Sequence, residues 1–158
     1  MLSSVAKPTA YSRFDAKPLS AALGAEILGL DLSQPLATQA AVELENALGH
    51  YGVLVFRDQR LTQEQHIVLA ESLGNIDVNR FFRPVDGYPE IAEVRKEADQ
   101  TSNIGGSWHT DHSYDQTPAK ASILCARELP SRGGDTCLRA RHAAMMRFRR
   151  ASRLRSAA

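Results

Sequence analysis

The order of apolar and polar positions divides the chain into a first half with regular periodicity and a second half without it. Residues 1–20 are polar, contain two prolines and read as an extended lead-in. From Gly24 the segment GAEILGLDL sets apolar residues at alternating and adjacent positions between glycines, which predicts a short strand or hairpin over 24–32 ended by Pro35. Ala40, Leu44, Ala47, Leu48 and Tyr51 then recur at helical spacing, predicting a helix over 39–50 capped by Thr38 and closed by Gly49 and Gly52. The run GVLVF at 52–56 has the length and composition of a strand buried on both faces. Thr62 followed three residues later by Gln65 is a capping-box pattern, predicting a second helix that reaches Leu73 and stops at Gly74. From about residue 76 to 136 the helical period fades. Short apolar pieces, Ile91–Val94 and Ser122–Ala126 among them, alternate with turn residues and suggest β structure.

Composition keeps the chain among globular proteins: 158 residues, 43% apolar and 23% charged, enough for one core. The longest aliphatic or aromatic run is Val53–Phe56, far short of a membrane span, and the first residues carry no secretory apolar stretch, so a cytoplasmic protein with no membrane partner is expected. Cys125 and Cys137 make neither a disulfide framework nor a zinc site.

Charge changes the picture. Residues 1–136 hold twelve basic residues against all eighteen acidic ones, a net of −6, whereas residues 137–158 hold seven arginines and no acid, a net of +7. The chain therefore changes character at about residue 137. A basic segment of this kind can bind nucleic acid or an anionic membrane, but it lacks aromatic interleaving beyond Phe148 and follows no binding motif, which disfavours a nucleic-acid partner.

Candidate chemistry lies between Gly105 and Thr136. On a strand, His109 and Asp111 would point to one face and set an imidazole beside a carboxylate. Such a pair is two-thirds of the 2-His-1-carboxylate arrangement that holds non-haem Fe(II) with positions left open. A bare H-x-D is a weak signal, and its surroundings decide. His112 would point to the opposite face, His50 and His66 fall on helices as surface residues, Trp108 packs beside the metal strand, Cys125 fills a core position, and Arg127 with Glu128 forms a solvated strand end. The pairs Gly105–Gly106 and Gly133–Gly134 lack phosphate-loop spacing and read as turns.

W-H-T-D at 108–111, T-P-A at 117–119, I-L-C-A at 123–126, E-L-P at 128–130 and G-G-D-T at 133–136 together resemble the taurine dioxygenase (TauD/TfdA-like) family of Fe(II)- and 2-oxoglutarate-dependent oxygenases. GAEILGLDLSQPL, GVLVFRDQRLTQEQ and ESLGNI look like the same family's opening, and the similarity spans roughly residues 14–136. The resemblance implies a mixed α/β fold, the N-terminal portion of a double-stranded β-helix (jelly roll) with flanking helices. It implies His109 and Asp111 as iron ligands and Thr136 as a residue binding the 2-oxoglutarate cosubstrate. It also implies oxidation of a small organic substrate by oxygen while 2-oxoglutarate becomes succinate and carbon dioxide. Taurine itself is disfavoured. The family's asparagine three residues before the tryptophan is Gly105 here, and its polar histidine and tyrosine after the second helix are replaced by Asn79 and Phe82. After G-G-D-T, the family's distal histidine and its arginine for 2-oxoglutarate have no match. His142 stands in a different context, so a domain over 1–136 followed by a foreign tail over 137–158 is expected, most simply a truncated or frameshifted continuation. Two alternatives to an active oxygenase follow: a catalytically inactive truncated relative, or a basic-tailed nucleic-acid binder. Strand edges left uncovered would favour association into homo-oligomers.

Overall fold

The computed structural model describes residues 10–97, 99–102, 104–111 and 113–140. Strands β1 (Asp15–Pro18) and β2 (Ala25–Leu28) pair antiparallel, Asp15 opposite Leu28 and Pro18 opposite Ala25. Part of the stretch read as a polar lead-in is thus a strand. Its apolar content is low because it is an edge, and its partner β2 supplies the buried Ala25 and Ile27.

Helix α1 (Thr38–Tyr51) follows and buries Ala40, Glu43, Leu44, Ala47 and Tyr51, the stripe that the spacing predicts. Thr38 is its first helical residue rather than its cap; Ala37 holds the cap position and gives no side-chain hydrogen bond. At the other end Gly52 adopts φ +71° and donates its N–H to the Leu48 carbonyl at 2.7 Å. A Cβ there would also come within 2.9 Å of Leu23, so both conformation and space call for glycine. Strand β3 (Leu54–Val55) then lies parallel to β2, Ala25 opposite Leu54, giving a three-stranded sheet in the order β1-β2-β3. Leu54 and Val55 are half-buried, not enclosed on both faces as the apolar run suggests, because β3 is the other edge of the sheet and α1 covers one side.

Helix α2 (Gln63–Leu73) begins as the sequence predicts. The Gln65 N–H donates to the Thr62 hydroxyl at 3.2 Å, and the Thr62 N–H donates to the Gln65 side chain at 2.8 Å. Beyond Gly74, β structure is confined to a hairpin of β4 (Pro84–Val85) and β5 (Tyr88–Ala92) around an Asp86–Gly87 turn, Gly87 at φ +82°. Tyr88 donates its hydroxyl to Glu64, tying the hairpin to α2.

Two apolar clusters hold this half together. Phe14, Ala25, Ile27, Leu44, Ala47 and Tyr51 form one between sheet and α1. Leu32, Leu61 and Leu69 form the other under α2, with Ile123 and Cys125 laid against it. The buried Glu43 carboxylate fixes the chain entering β1. It accepts from the Ser12 hydroxyl at 2.6 Å and from the N–H groups of Ser12 and Arg13 at 2.9 and 3.0 Å. Those bonds, the Ser12 hydroxyl foremost and the Gln39 amide next, hold its pKa down at about 2.

The mixed α/β class stands. The described residues from 93 to 140 contain no helix or strand. The strand expected at Ser122–Ala126 is irregular chain. Among the described residues no strand lies beside it; Ile123 and Cys125 pack against Leu32, Leu61 and Leu69 instead, while Leu124 stays exposed. Of Ile91–Val94, only Ile91 and Ala92 belong to β5.

Candidate metal centre

His109 and Asp111 are brought together, though not by a strand. Residues 108–110 are irregular and Asp111 sits in a bend, so the i, i+2 alternation of a strand does not apply. The bend turns the carboxylate back toward the ring, leaving His109 Nε2 3.2 Å from Asp111 Oδ1. The ring's other nitrogen faces the Ser107 carbonyl at 2.8 Å. A carbonyl only accepts, so Nδ1 carries the proton and Nε2 presents its lone pair toward a carboxylate. Two acceptor atoms at that separation are stabilised by a second proton or by a cation between them.

The separation suits a cation. Ligand atoms each about 2.1 Å from a metal, and 3.2 Å from each other, lie in neighbouring coordination positions. A backbone carbonyl behind a ligating imidazole is also the usual means of fixing its tautomer. The donor set is incomplete, since among the described residues no group of three or more His, Cys, Asp and Glu could hold a metal. The pair is open, with the side chains of His109 and Asp111 55% and 66% exposed.

The loop around it is pinned by polar contacts. Thr110 and Ser113 share a hydroxyl hydrogen bond of 2.9 Å, and Arg80 reaches Asp115 at 3.6 Å. Trp108 does not pack beside the pair; it is 72% exposed, because no strand presses it against a neighbour. Thr136 lies on exposed irregular chain and makes no hydrogen bond to either member of the pair among the described residues. His112 and His142 lie outside the described residues. Asn79 caps its own turn, accepting from Phe81 and Phe82 N–H groups at 2.8 and 3.2 Å. A groove of about 500 Å³ lies along Glu71, Gly74, Asn75, Ile76, Val78 and Glu90, and neither His109 nor Asp111 lines it.

Arg127, read as a solvated strand end, and His66, read as a surface residue, take part with Lys120 in fastening the segment 120–127. Lys120 donates to Glu45 and to the Leu73 carbonyl, and Arg127 donates to the Leu61 carbonyl. His66 is half-buried beneath the same segment. Its pKa falls below the ordinary value because burial disfavours the charged ring, and Arg127 adds repulsion, while the Ile123 backbone partly opposes both. The imidazole Nδ1 has no hydrogen-bond partner. Residues 120–127 are thus a strap over α1 and α2, fastened beyond the loop that carries the pair. Nothing local signals these anchors, since each partner lies 47 or more residues away in the chain.

Comparison with known proteins places the chain among oxygenases. The chain is 32% identical over 130 residues to the (S)-phenoxypropionate/alpha-ketoglutarate-dioxygenase of Sphingobium herbicidovorans, covering 78% of this chain and 44% of that protein. It is 32% identical over 139 residues to the alpha-ketoglutarate-dependent 2,4-dichlorophenoxyacetate dioxygenase of Cupriavidus pinatubonensis, covering 77% and 48%. With the alpha-ketoglutarate-dependent sulfate ester dioxygenase of Pseudomonas putida it shares 32% identity over 123 residues, 77% of this chain and 40% of that one. The chain therefore spans less than half the length of these relatives. The model of the taurine catabolism dioxygenase TauD, TfdA family matches residues 15–150, past the change of charge at 137. With most of its length matched, this chain belongs to the TauD, TfdA family.

Proposed function

We propose that this chain carries the iron-binding pair of a Fe(II)- and 2-oxoglutarate-dependent dioxygenase that oxidises a small organic substrate other than taurine. The observation that carries the reading is the His109–Asp111 pair, its atoms 3.2 Å apart and the ring set by Ser107. His109 Nε2 and Asp111 Oδ1 would hold Fe(II), and Thr136 would bind 2-oxoglutarate. When bound, the metal would supply activation of oxygen, which is the oxidant, while 2-oxoglutarate and the substrate C–H bond are both oxidised. The chain's own residues do the positioning. Ser107 keeps the proton on Nδ1, so that Nε2 is free to ligate. The Asp111 carboxylate supplies negative charge, and the Arg80–Asp115 pair restrains the loop.

Substitution of the taurine enzymes' polar pair by Asn79 and Phe82 favours a less polar substrate. The relatives' names give phenoxypropionate, 2,4-dichlorophenoxyacetate and sulfate esters, small organic molecules other than taurine. The jelly roll belongs to the same proposal, with the third metal ligand supplied from outside the described residues. The test is succinate formation from 2-oxoglutarate with Fe(II) and oxygen. Turnover in the wild type that His109→Ala abolishes is the expected result. An equal rate in His109→Ala, or no turnover in either, overturns the proposal for this chain.

A further inference from the structure

The β4–β5 hairpin turns at the one place in the chain where an Asp or Asn is followed by glycine. Asp86 precedes Gly87, whereas every other Asp and Asn is followed by a residue with a side chain. The two form the loop between Val85 and Tyr88, which lie opposite each other across the strands. The Asp86 side chain is 93% exposed, and Gly87 lies at φ +82° in open space. Among the described residues the Gly87 N–H donates no hydrogen bond. A carboxyl group and an unhindered amide nitrogen thus stand side by side. We propose that Asp86 is a site of spontaneous isoaspartate formation. The Gly87 nitrogen bonds to the Asp86 side-chain carboxyl carbon; the acid's OH and the amide hydrogen leave together as water, closing a cyclic imide. Solvent water then opens the ring. Cleavage at the side-chain carbonyl restores aspartate. Cleavage at the main-chain carbonyl leaves the chain running through Cβ and Cγ, with a free α-carboxylate. Nothing is oxidised or reduced, and mass and charge end as they began.

Ring closure needs the turn to flex, and this hairpin is built weakly. Strand β4 has two residues, one of them Pro84, which brings no N–H to the ladder, and the register shifts between Pro84 and Val85. A two-stranded hairpin is marginal by itself in water. Arg83 reaches Asp86 at 3.4 Å, but both side chains are more than three-quarters exposed, and such a pair restrains little. The product matters to the fold because it adds one carbon to the backbone between Val85 and Tyr88. The Val85–Tyr88 pairing and the Tyr88 bond to Glu64 cannot both be kept across the longer loop. Glu90 lies on the same strand and lines the groove beside α2, so the groove loosens with the hairpin.

The test ages the full chain in mildly acidic buffer and follows the tryptic peptide 81–95, since trypsin does not cut Arg83–Pro84. A second peak of equal mass should appear, resistant to endoproteinase cleavage before Asp86 and methylated by an isoaspartyl methyltransferase. It should accumulate several-fold faster than isoaspartate at any other Asp of the chain. Asp86→Glu should remove it, because the longer side chain closes a larger ring much more slowly. Asp86→Asn should speed it several-fold, with ammonia leaving in place of water. If position 86 stays intact in the folded chain while the free peptide 81–95 reacts, the proposal is overturned. An Asp86→Asn chain that forms no isoaspartate overturns it too, as does faster reaction at another Asp. In the aged sample, the fraction of molecules whose amides at 88–92 exchange several-fold faster should equal the isoaspartate fraction, with 40–51 unchanged. Exchange at 88–92 that does not follow that fraction overturns the effect on the hairpin.

Discussion

The half from β1 to α2 and the half from residue 93 onward are held by different forces. In the first, apolar side chains meet: sheet against α1, and Leu32, Leu61 and Leu69 beneath α2. In the second, among the described residues, order comes from long-reaching polar side chains and from Ile123 and Cys125 borrowing the first half's apolar surface. The His109–Asp111 pair belongs to the second. Stability and chemistry are therefore separable here, and substitutions should sort by which half they touch.

The largest effect is expected from emptying the packed half. Leu44 is 3% exposed and Leu69 6%. Truncating either to alanine should cost about 2–5 kcal/mol, seen as a lower urea midpoint, with β1–β3 and the helices lost together. Gly52→Ala should cost roughly 1–2 kcal/mol through its left-handed conformation, with the approach to Leu23 adding to it. A midpoint unchanged in Gly52→Ala would mean that the helix end relaxes independently of the sheet.

Arg127→Ala should do the opposite. It should leave the melting temperature nearly unchanged while amide exchange and proteolysis across 120–127 rise several-fold. If Arg127→Ala instead unfolds the whole molecule, the division between halves is wrong. Acid should sharpen the same contrast through two groups. His66 has a lowered folded pKa, so the unfolded chain binds its proton first. Docking of the strap is complete above the unfolded value, about pH 6.5, and weakens as pH falls below it. In His66→Leu, exchange across 120–127 should no longer change over that range. Glu43 is a carboxylate with its pKa depressed to about 2. Its contribution is present above the ordinary carboxylate range near pH 4.3 and is lost as pH falls toward 2. Glu43→Gln should flatten the acid limb of the melting curve and loosen residues 12–13. A wild-type acid limb retained in Glu43→Gln would place that titration elsewhere.

Features legible in the sequence are those whose causes are local. The Thr62–Gln65 box, the stripe on α1 and the stops at Gly52 and Gly74 need only neighbours within a turn or two, and the structure places all of them. The nearness of His109 and Asp111 was legible too, but a bend rather than a strand produces it. The contacts of Arg127, Lys120 and His66 are not legible, because their partners are distant in sequence and no periodicity points to them. Trp108 was expected to pack because a strand was expected to carry it. The edge position of β1 explains its polar face in the same way: pairing with β2, not its own composition, makes it a strand.

The strap also bears on time. Its anchors join Lys120 to Glu45 and Arg127 to Leu61, contacts 75 and 66 residues apart, whereas β1 and β2 meet across one short turn. Long loops close at a greater entropic cost and close after local structure has formed. The strap therefore docks after the sheet and helices have set, and pulse-labelled exchange during refolding should protect 25–28 and 40–51 before 120–127. A newly made chain acquires its scaffold first and fastens the strap of residues 120–127 last.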